Sequence, residues 1–234
     1  MGKLDEKAWL AKEYRLFAAI RQNNLESVRG LLDADLALVN VPAPKRPLDT
    51  RFMSPLQAAL CTGWHRDIAW LLLECGADVN YCAPKELCDD AYPVLFDAVN
   101  TAVWNARRYE WDGKDVTHLV WKHTKEDSDE AFHFLQRMLE LGADANQTDH
   151  YGRNALMEAV SEANKLCPNV NAETGKDYPG RIITPEMRED FLRIFRALIN
   201  AGADKENRSA FSGKTIREHY EGEPVWRICG ELFP

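Results

Sequence analysis

A ten-residue phrase recurs along this chain and limits the folds that it can adopt. The clearest copy reads Leu-Leu-Leu-Glu-Cys-Gly-Ala-Asp-Val-Asn over residues 71–80, and Gly-Ala-Asp returns at 142–144 and 202–204. A weaker copy covers residues 31–40. In each Gly-Ala-Asp copy an apolar run stops at the glycine, as expected when glycine takes the left-handed backbone conformation that closes a helix. The sequence therefore predicts a repeated unit in which a helix ends in a tight turn.

A second phrase lies upstream of each copy and fixes the start of the unit. A leucine is followed three residues later by alanine and then by an aliphatic residue, beginning at Leu16, Leu56, Leu95 and Leu156. This spacing puts the three side chains on one helical face, and the small alanine lets a neighbouring element approach closely. Each unit is thus predicted to be a helix pair that buries its apolar face against the next pair.

The two phrases, repeated in this order over most of the chain, resemble the ankyrin repeat family. The family's Thr-Pro-Leu-His-x-Ala opening is similar to residues 54–59, and its Leu-Leu-x-x-Gly-Ala-Asp-x-Asn close is similar to residues 72–80. The histidine of that opening is replaced at all four equivalent positions, which are Phe17, Gln57, Phe96 and Met157. The resemblance implies an all-α solenoid of about five stacked helix pairs joined by hairpin-like loops, whose stability rests mainly on packing.

On this resemblance the chain is one domain, residues 1–234, with two insertions. Its predicted parts are repeat 1 at 13–40 with an N-terminal cap helix at 5–22, repeat 2 at 51–80, repeat 3 at 92–146 with an insertion at 104–127, repeat 4 at 151–206 with an insertion at 164–183, and a C-terminal capping repeat at 211–234. Ser54 with Pro55, and Thr184 with Pro185, are predicted to begin helices, because each pair supplies an N-cap and a proline for the first helical position.

The insertion of repeat 3 is the most aromatic part of the chain and has two interpretations. In one, Val116, Leu119, Val120 and Trp121 form an extra helix packed on the stack. In the other the insertion is a binding surface, because Trp, Tyr and Arg dominate interface hot spots. The residues predicted for that surface are Trp104, Arg107, Arg108, Tyr109 and Trp111.

The family resemblance suggests a further surface, since ankyrin partners usually meet the hairpin tips and first helices. Carried onto this chain, the tip candidates are Tyr81, His150, Tyr151, Arg208 and Phe211. The alternative for these residues is that they pack on the adjacent loop.

Composition excludes several classes of partner. With 37 acidic and 29 basic residues the formal net charge is −8, which opposes non-specific attraction to nucleic acid or to an anionic membrane and favours a basic protein partner. No segment approaches the roughly 20 apolar residues that span a bilayer, and the N-terminus lacks the apolar core of a signal peptide. We expect a cytoplasmic protein with reduced cysteines. Cys82 and Cys88 lack the second ligand pair of a zinc site, so no metal or cofactor is predicted.

The sequence contains no motif that implies a reaction. Gly-rich phosphate loops, Gly-x-Ser-x-Gly, His-Glu-x-x-His and Cys-x-x-Cys are all missing. The expected function is a non-enzymatic protein–protein interaction scaffold, a regulator or inhibitor of a basic partner protein. The alternative is an enzyme or small-molecule-binding protein with a pocket between the insertions of repeats 3 and 4.

Overall fold

The chain is mostly helical in a computed structural model that describes residues 3–44, 50, 52–111, 119–168, 174 and 182–233. The helices are α1 (Lys3–Arg21), α2 (Leu25–Ala34), α3 (Pro55–Cys61), α4 (Arg66–Glu74), α5 (Val94–Trp104), α6 (Lys125–Glu140), α7 (Ala155–Leu166), α8 (Pro185–Asn200), α9 (Ile216–Tyr220) and α10 (Trp226–Cys229). Two 3₁₀ turns cover Leu36–Asn40 and Gly230–Leu232. The strands β1 (Tyr109–Trp111) and β2 (Leu119–Trp121) pair antiparallel.

The predicted helix starts at Ser54 and Thr184 are confirmed. The Ser54 hydroxyl accepts a hydrogen bond from the Gln57 amide at 3.1 Å, and the Gln57 side chain accepts one from the Ser54 amide at 3.4 Å. Thr184 accepts from the Met187 amide at 3.1 Å, with Pro185 as the first residue of α8. These caps satisfy amide groups that have no carbonyl partner within the helix.

The chain forms two compact units, of which the first covers Met1–Asp97. In this unit α1 packs against α2 and α3, while α4 packs against α2 and α3. The first helices of the two pairs are therefore in contact, and so are the second helices. The buried core includes Leu16, Ile20, Val28, Leu56, Ile68 and Leu72.

The second unit, Ala98–Pro234, is organised around α8, which packs against α6, α7 and α10. The apolar face of α8 is broad because phenylalanine and aliphatic residues recur at helical spacing along this helix. The buried side chains of this core include Phe134, Leu135, Leu156, Phe191, Phe195 and Leu198.

The predicted turn is confirmed at all three Gly-Ala-Asp copies. Gly76, Gly142 and Gly202 have φ angles of +85°, +90° and +91°. The amide of the next alanine donates to the carbonyl five residues earlier at 2.9 to 3.0 Å, pairing Ala77 with Leu72, Ala143 with Met138 and Ala203 with Leu198. This bond satisfies a helix-end carbonyl, and the positive φ explains why the position is glycine.

An asparagine side chain fixes one Gly-Ala-Asp turn in each unit, that of Gly76 in the first and that of Gly202 in the second. In the first unit Asn40 donates to the Gly76 carbonyl at 3.1 Å and accepts from the Asp78 amide at 2.7 Å. In the second unit Asn146 makes the same two bonds, to the Gly202 carbonyl and from the Asp204 amide, both at 2.7 Å. We call this two-bond contact the asparagine clamp. It joins the end of one copy of the phrase to the turn of a later copy.

The structure differs from prediction at the insertion of repeat 3. Leu119, Val120 and Trp121 were predicted to lie in an extra helix, and this was wrong, because they form β2 opposite Tyr109–Trp111. Tyr109, Val120 and Trp121 are of residue types that favour an extended strand when a partner strand is available. Val116 lies outside the described residues.

The helices beside the insertions differ slightly from the predicted bounds. Helix α5 ends at Trp104, and the Arg107 amide donates to the Asp190 carboxylate at 2.8 Å. Helix α6 begins at Lys125, within the insertion predicted at 104–127, because Thr124 and Asp127 form a capping box. Helix α7 runs to Leu166, past the predicted start of the insertion at 164.

We predict that Asn146→Ala lowers the free energy of unfolding by about 1 to 2 kcal/mol, because both bonds of the clamp are lost. The measurement is the midpoint of urea-induced unfolding followed by circular dichroism. Gln147→Ala is the matched control, because Gln147 follows Asn146 in the chain and its side chain makes neither clamp bond. Equal midpoints for the two variants would contradict a role for the clamp.

Candidate functional site

Two loops of the second unit bring predicted site residues together. The rings of Tyr151 and Phe211 lie 6.0 Å apart between centroids in an edge-to-face arrangement, and the His150 ring lies 3.7 Å from that of Tyr151. Phe211 is 84% exposed and Tyr151 is 44% exposed. We call His150, Tyr151 and Phe211 the tip cluster. Its members come from two loops about 60 residues apart in sequence, and they meet in space.

Hydrogen bonds hold these two loops together. The Ala210 amide and the Ser209 hydroxyl both donate to the Tyr151 carbonyl, at 2.7 and 3.2 Å. The Asn207 side chain donates to the Gly152 carbonyl at 2.9 Å. Gly152 has a φ of +70°, and a Cβ at this position would lie 2.9 Å from the Ala210 nitrogen. The loops approach closely because this residue is glycine, and their aromatic rings are presented on a fixed backbone.

Buried charges beneath the tip cluster fix the first loop. The Asp149 carboxylate accepts from the amides of Tyr151 and Arg153, both at 2.9 Å. The Arg153 guanidinium lies 2.7 Å from Asp149, 2.8 Å from Glu158 and 5.5 Å from the Tyr151 ring centroid. Burial acts to lower the pKa of Arg153, but the two carboxylates outweigh it and raise that pKa. Arg153 therefore stays charged and is already paired within the protein.

A cavity of about 360 Å³ lies beside the tip cluster, and we call it the tip cavity. Met157 and Tyr220, which line it, are only 4% and 8% exposed, whereas Phe211 is almost fully exposed. The other lining residues are Tyr151, Arg153, Ser161, Ser209, Ser212, Lys214 and His219. The cavity thus extends from an exposed aromatic rim to buried side chains of α7 and α9.

Two other predicted tip residues make contacts within the protein. Arg208 pairs with both carboxylate oxygens of Glu218, at 2.8 and 3.1 Å, and lies in the same loop as Phe211. In the first unit the Tyr81 hydroxyl donates to the Phe52 carbonyl at 2.5 Å. Burial raises the pKa of Tyr81 to about 12, so the hydroxyl keeps its proton for this bond at neutral pH. Tyr81 therefore packs on an adjacent loop.

The segment predicted as an insertion, residues 104–127, presents a second set of aromatic residues, which are Trp104, Tyr109 and Trp121. The rings of Tyr109 and Trp121 lie 4.1 Å apart between centroids. Trp104 and Trp121 are exposed, and the Trp104 indole donates to Glu162 at 3.1 Å. We call these three residues the hairpin cluster. Sequence reasoning missed Trp121 because its place opposite Tyr109 depends on the pairing of β1 with β2.

Arg108 and Trp111 were predicted for the same surface. The Arg108 side chain is buried, pairs with Glu110 at 2.8 Å and lies 5.7 Å from the Trp104 ring centroid. It supports the hairpin cluster from within. Trp111 belongs to β1, and its side chain lies outside the described part of the structure.

Arg107 lies in an internal ion pair. Its Nε and Nη2 atoms donate to the fully buried carboxylate of Asp190 at 3.0 and 2.9 Å, and Ser128 donates to the same carboxylate at 2.8 Å. Burial acts to raise the pKa of Asp190, but the hydrogen bonds from Arg107 and Ser128 and the charge of Arg193 outweigh it and lower that pKa. Arg107 thereby fastens the start of the insertion to α8.

A second cavity, of about 380 Å³, lies at the base of the hairpin. Its lining residues are Arg107, Trp121, Lys122, His123, Thr124, Lys125 and Glu186. It adjoins the repeat 3 insertion and the start of α8, close to where the alternative interpretation puts a ligand pocket. Much of both insertions, residues 112–118, 169–173 and 175–181, lies outside the described residues.

Nowhere in the described ranges do three or more His, Cys, Asp or Glu side chains group in a way that could hold a metal ion. None of the helices found there combines the length and apolar character needed to cross a bilayer.

No family model matches the chain, and no curated protein has significant similarity to it.

We predict that Asp190→Asn lowers the free energy of unfolding by about 3 to 5 kcal/mol at pH 7, because it removes the buried carboxylate that pairs with both Arg107 and Arg193. Glu189→Gln is the matched control. Glu189 contacts Arg107 at 2.8 Å but is exposed, so its loss should cost less than about 1 kcal/mol. Urea unfolding of both variants gives the two values.

The effect of Asp190→Asn should depend on pH. The folded pKa of Asp190 is depressed, so its charge stabilises the fold above the unfolded pKa of about 3.9 and stops doing so as pH falls through the folded pKa. The difference between wild type and Asp190→Asn should therefore shrink below about pH 4. A difference that stays constant from pH 7 to pH 3 would contradict an ionised Asp190.

Proposed function

We propose that this chain is a non-enzymatic, cytoplasmic ankyrin-repeat scaffold that binds another protein through the tip cluster. The repeated turn supports the family assignment. The same positive-φ glycine and the same helix-closing bond occur at three places, at intervals of about 60 residues. The asparagine clamp occurs with the same pair of bonds in each unit. An unrelated helical fold has no reason to repeat this geometry.

Helix packing within each unit also supports a repeat stack. In the first unit α1 contacts α3 and α2 contacts α4, as expected when successive helix pairs lie side by side. In the second unit α6 and α8, the second helices of proposed repeats 3 and 4, are in contact. We propose the repeat boundaries given by the sequence, with the insertions of repeats 3 and 4 between first and second helices.

The exposure of Phe211 beside Tyr151 carries the functional proposal. Single exposed apolar residues are ordinary on protein surfaces. Phe211, however, is 84% exposed on a loop held by hydrogen bonds, next to a second exposed aromatic ring and a cavity. Aromatic side chains on a fixed backbone beside a pocket are typical of binding hot spots.

Charge favours a protein over other macromolecules. A net charge of −8 opposes binding to nucleic acid or to an anionic membrane, and it favours a partner with net positive charge. We propose that the chain regulates or inhibits such a partner by occupying part of its surface. The hairpin cluster is a second place at which the partner could make contact.

A specific observation also favours the alternative of small-molecule binding. The cavity at the base of the hairpin has an aromatic wall and several basic side chains, among them Lys122 and Lys125. Its volume of about 380 Å³ falls within the usual range for ligand pockets. This alternative gains weight if no protein partner is found.

Affinity capture from an extract of the producing organism tests the proposal. Three baits are compared, each confirmed as folded by circular dichroism: wild type, the tip variant Tyr151→Ala/Phe211→Ala, and the hairpin variant Trp104→Ala/Tyr109→Ala/Trp121→Ala. We expect a partner retained by wild type and by the hairpin variant. The tip variant should lose it by at least about tenfold, because truncating two hot-spot residues costs more than about 1.4 kcal/mol.

Two results would contradict the proposal. A partner lost only by the hairpin variant would remove the tip cluster from the binding site. If no bait retained any protein, the protein-binding scaffold would be rejected in favour of a small-molecule site.

A further inference from the structure

We propose that the tip cavity receives one large apolar side chain of the partner, and that an acidic residue within about two positions of that side chain pairs with Lys214. This inference rests on the proposed function, because it specifies which part of a protein partner the tip binds. It concerns the local chemistry of the docking segment, whatever the net charge of the whole partner.

The walls of the tip cavity select an apolar group. Its exposed rim is formed by the rings of Tyr151 and Phe211, and its buried lining includes Met157 and the ring of Tyr220. Aromatic rings and a methionine thioether offer large, adaptable contact surfaces for another apolar side chain. Polar and charged residues also line the cavity, but most of the surface that they and the aromatic residues present to it is apolar, which favours an apolar ligand group.

The size of the cavity fits a side chain with adjoining backbone. The cavity volume is about 360 Å³. Such a volume is at the low end of the range for ligand pockets. It accommodates the largest apolar side chains together with part of their backbone.

The cavity is formed before the partner arrives. The Tyr151 carbonyl accepts two hydrogen bonds from the second loop, and the Gly152 carbonyl accepts one more. Binding therefore does not require ordering of these loops, and preorganised walls retain more of the contact energy as affinity.

The charges near the cavity are unevenly paired. Arg153 is paired with Asp149 and Glu158, and Arg208 is paired with Glu218. Lys214 lines the cavity and is exposed, and it interacts with Glu218 only at a distance, since no carboxylate of the described residues lies within ion-pair distance of its ammonium group. A carboxylate of the partner would give Lys214 a direct ion pair.

The exposed rim favours a peptide segment over a small molecule. A small ligand confined to the cavity covers only the part of Phe211 that lines it, and Phe211 is 84% exposed in total. A peptide whose anchor enters the cavity continues past the rim and covers the ring. Covering it contributes about 25 cal/mol for each Å² of apolar surface removed from water.

Selection from a phage-displayed library of random peptides of about twelve residues, with the full chain as bait, identifies the docking segment, and fluorescence anisotropy measures the affinities. We expect enriched peptides to share one large apolar residue with Asp or Glu within about two positions. Replacing either residue by Ala should weaken binding by about tenfold.

Charge reversal tests the role of Lys214. Lys214→Glu should weaken the binding of the selected peptides by about tenfold. Changing the acidic residue of these peptides to Lys should restore their binding to the Lys214→Glu variant. Lys85→Glu is the matched control, because this exposed lysine lies in the other unit and gives the same change in net charge. Ser212→Trp, at an exposed position that lines the cavity, should block entry of the apolar side chain.

Several results would overturn this inference without deciding the proposed function, which the affinity capture tests separately. These are an absence of enriched peptides, enrichment of peptides without the shared residues, or equal affinity for Lys214→Glu and Lys85→Glu. 3-Phenylpropionate carries a phenyl ring and a carboxylate on one small molecule. If it binds as tightly as the peptides, the natural ligand is a small molecule and the peptide assignment is wrong.

Discussion

The rest of this structure depends on one backbone turn and the asparagine that holds it. The turn needs a positive φ angle, which glycine adopts at little cost. It also leaves a backbone carbonyl and a backbone amide to be paired, and the asparagine side chain donates to the first and accepts from the second. Helix ends are thereby fixed at defined places. Loops that follow such ends can carry exposed rings without losing their shape, and the tip cluster has this construction.

Local chemistry explains which parts of the fold could be predicted from sequence. The glycine turns and the caps at Ser54 and Thr184 depend on residues within a few positions, so their signals are complete in the chain itself. The hairpin could not be predicted in this way. Its strand β2 is extended because β1 lies opposite, and no pattern within Leu119–Trp121 reveals that pairing.

The candidate site shows the same limit. Arg107 stands in an aromatic segment that resembles an interface, yet its carboxylate partner is Asp190, 83 residues further on. Tyr151 and Phe211 were predicted separately as tip residues, but their edge-to-face contact and the cavity beside them depend on how two loops meet. Lys214 and Tyr220 carry no sequence signal of a site. Residue types could be anticipated, and their grouping in space could not.

Photo-crosslinking tests most directly whether the tip cluster meets a protein. Benzoylphenylalanine is incorporated in place of Phe211 or, as a control, in place of the exposed Leu36 in the first unit, and each chain is irradiated in extract of the producing organism. We expect the chain with the photo-crosslinker at position 211 to yield one discrete crosslinked protein, and the chain with it at position 36 to yield none. No crosslink at position 211, or the same products at both positions, would contradict this expectation.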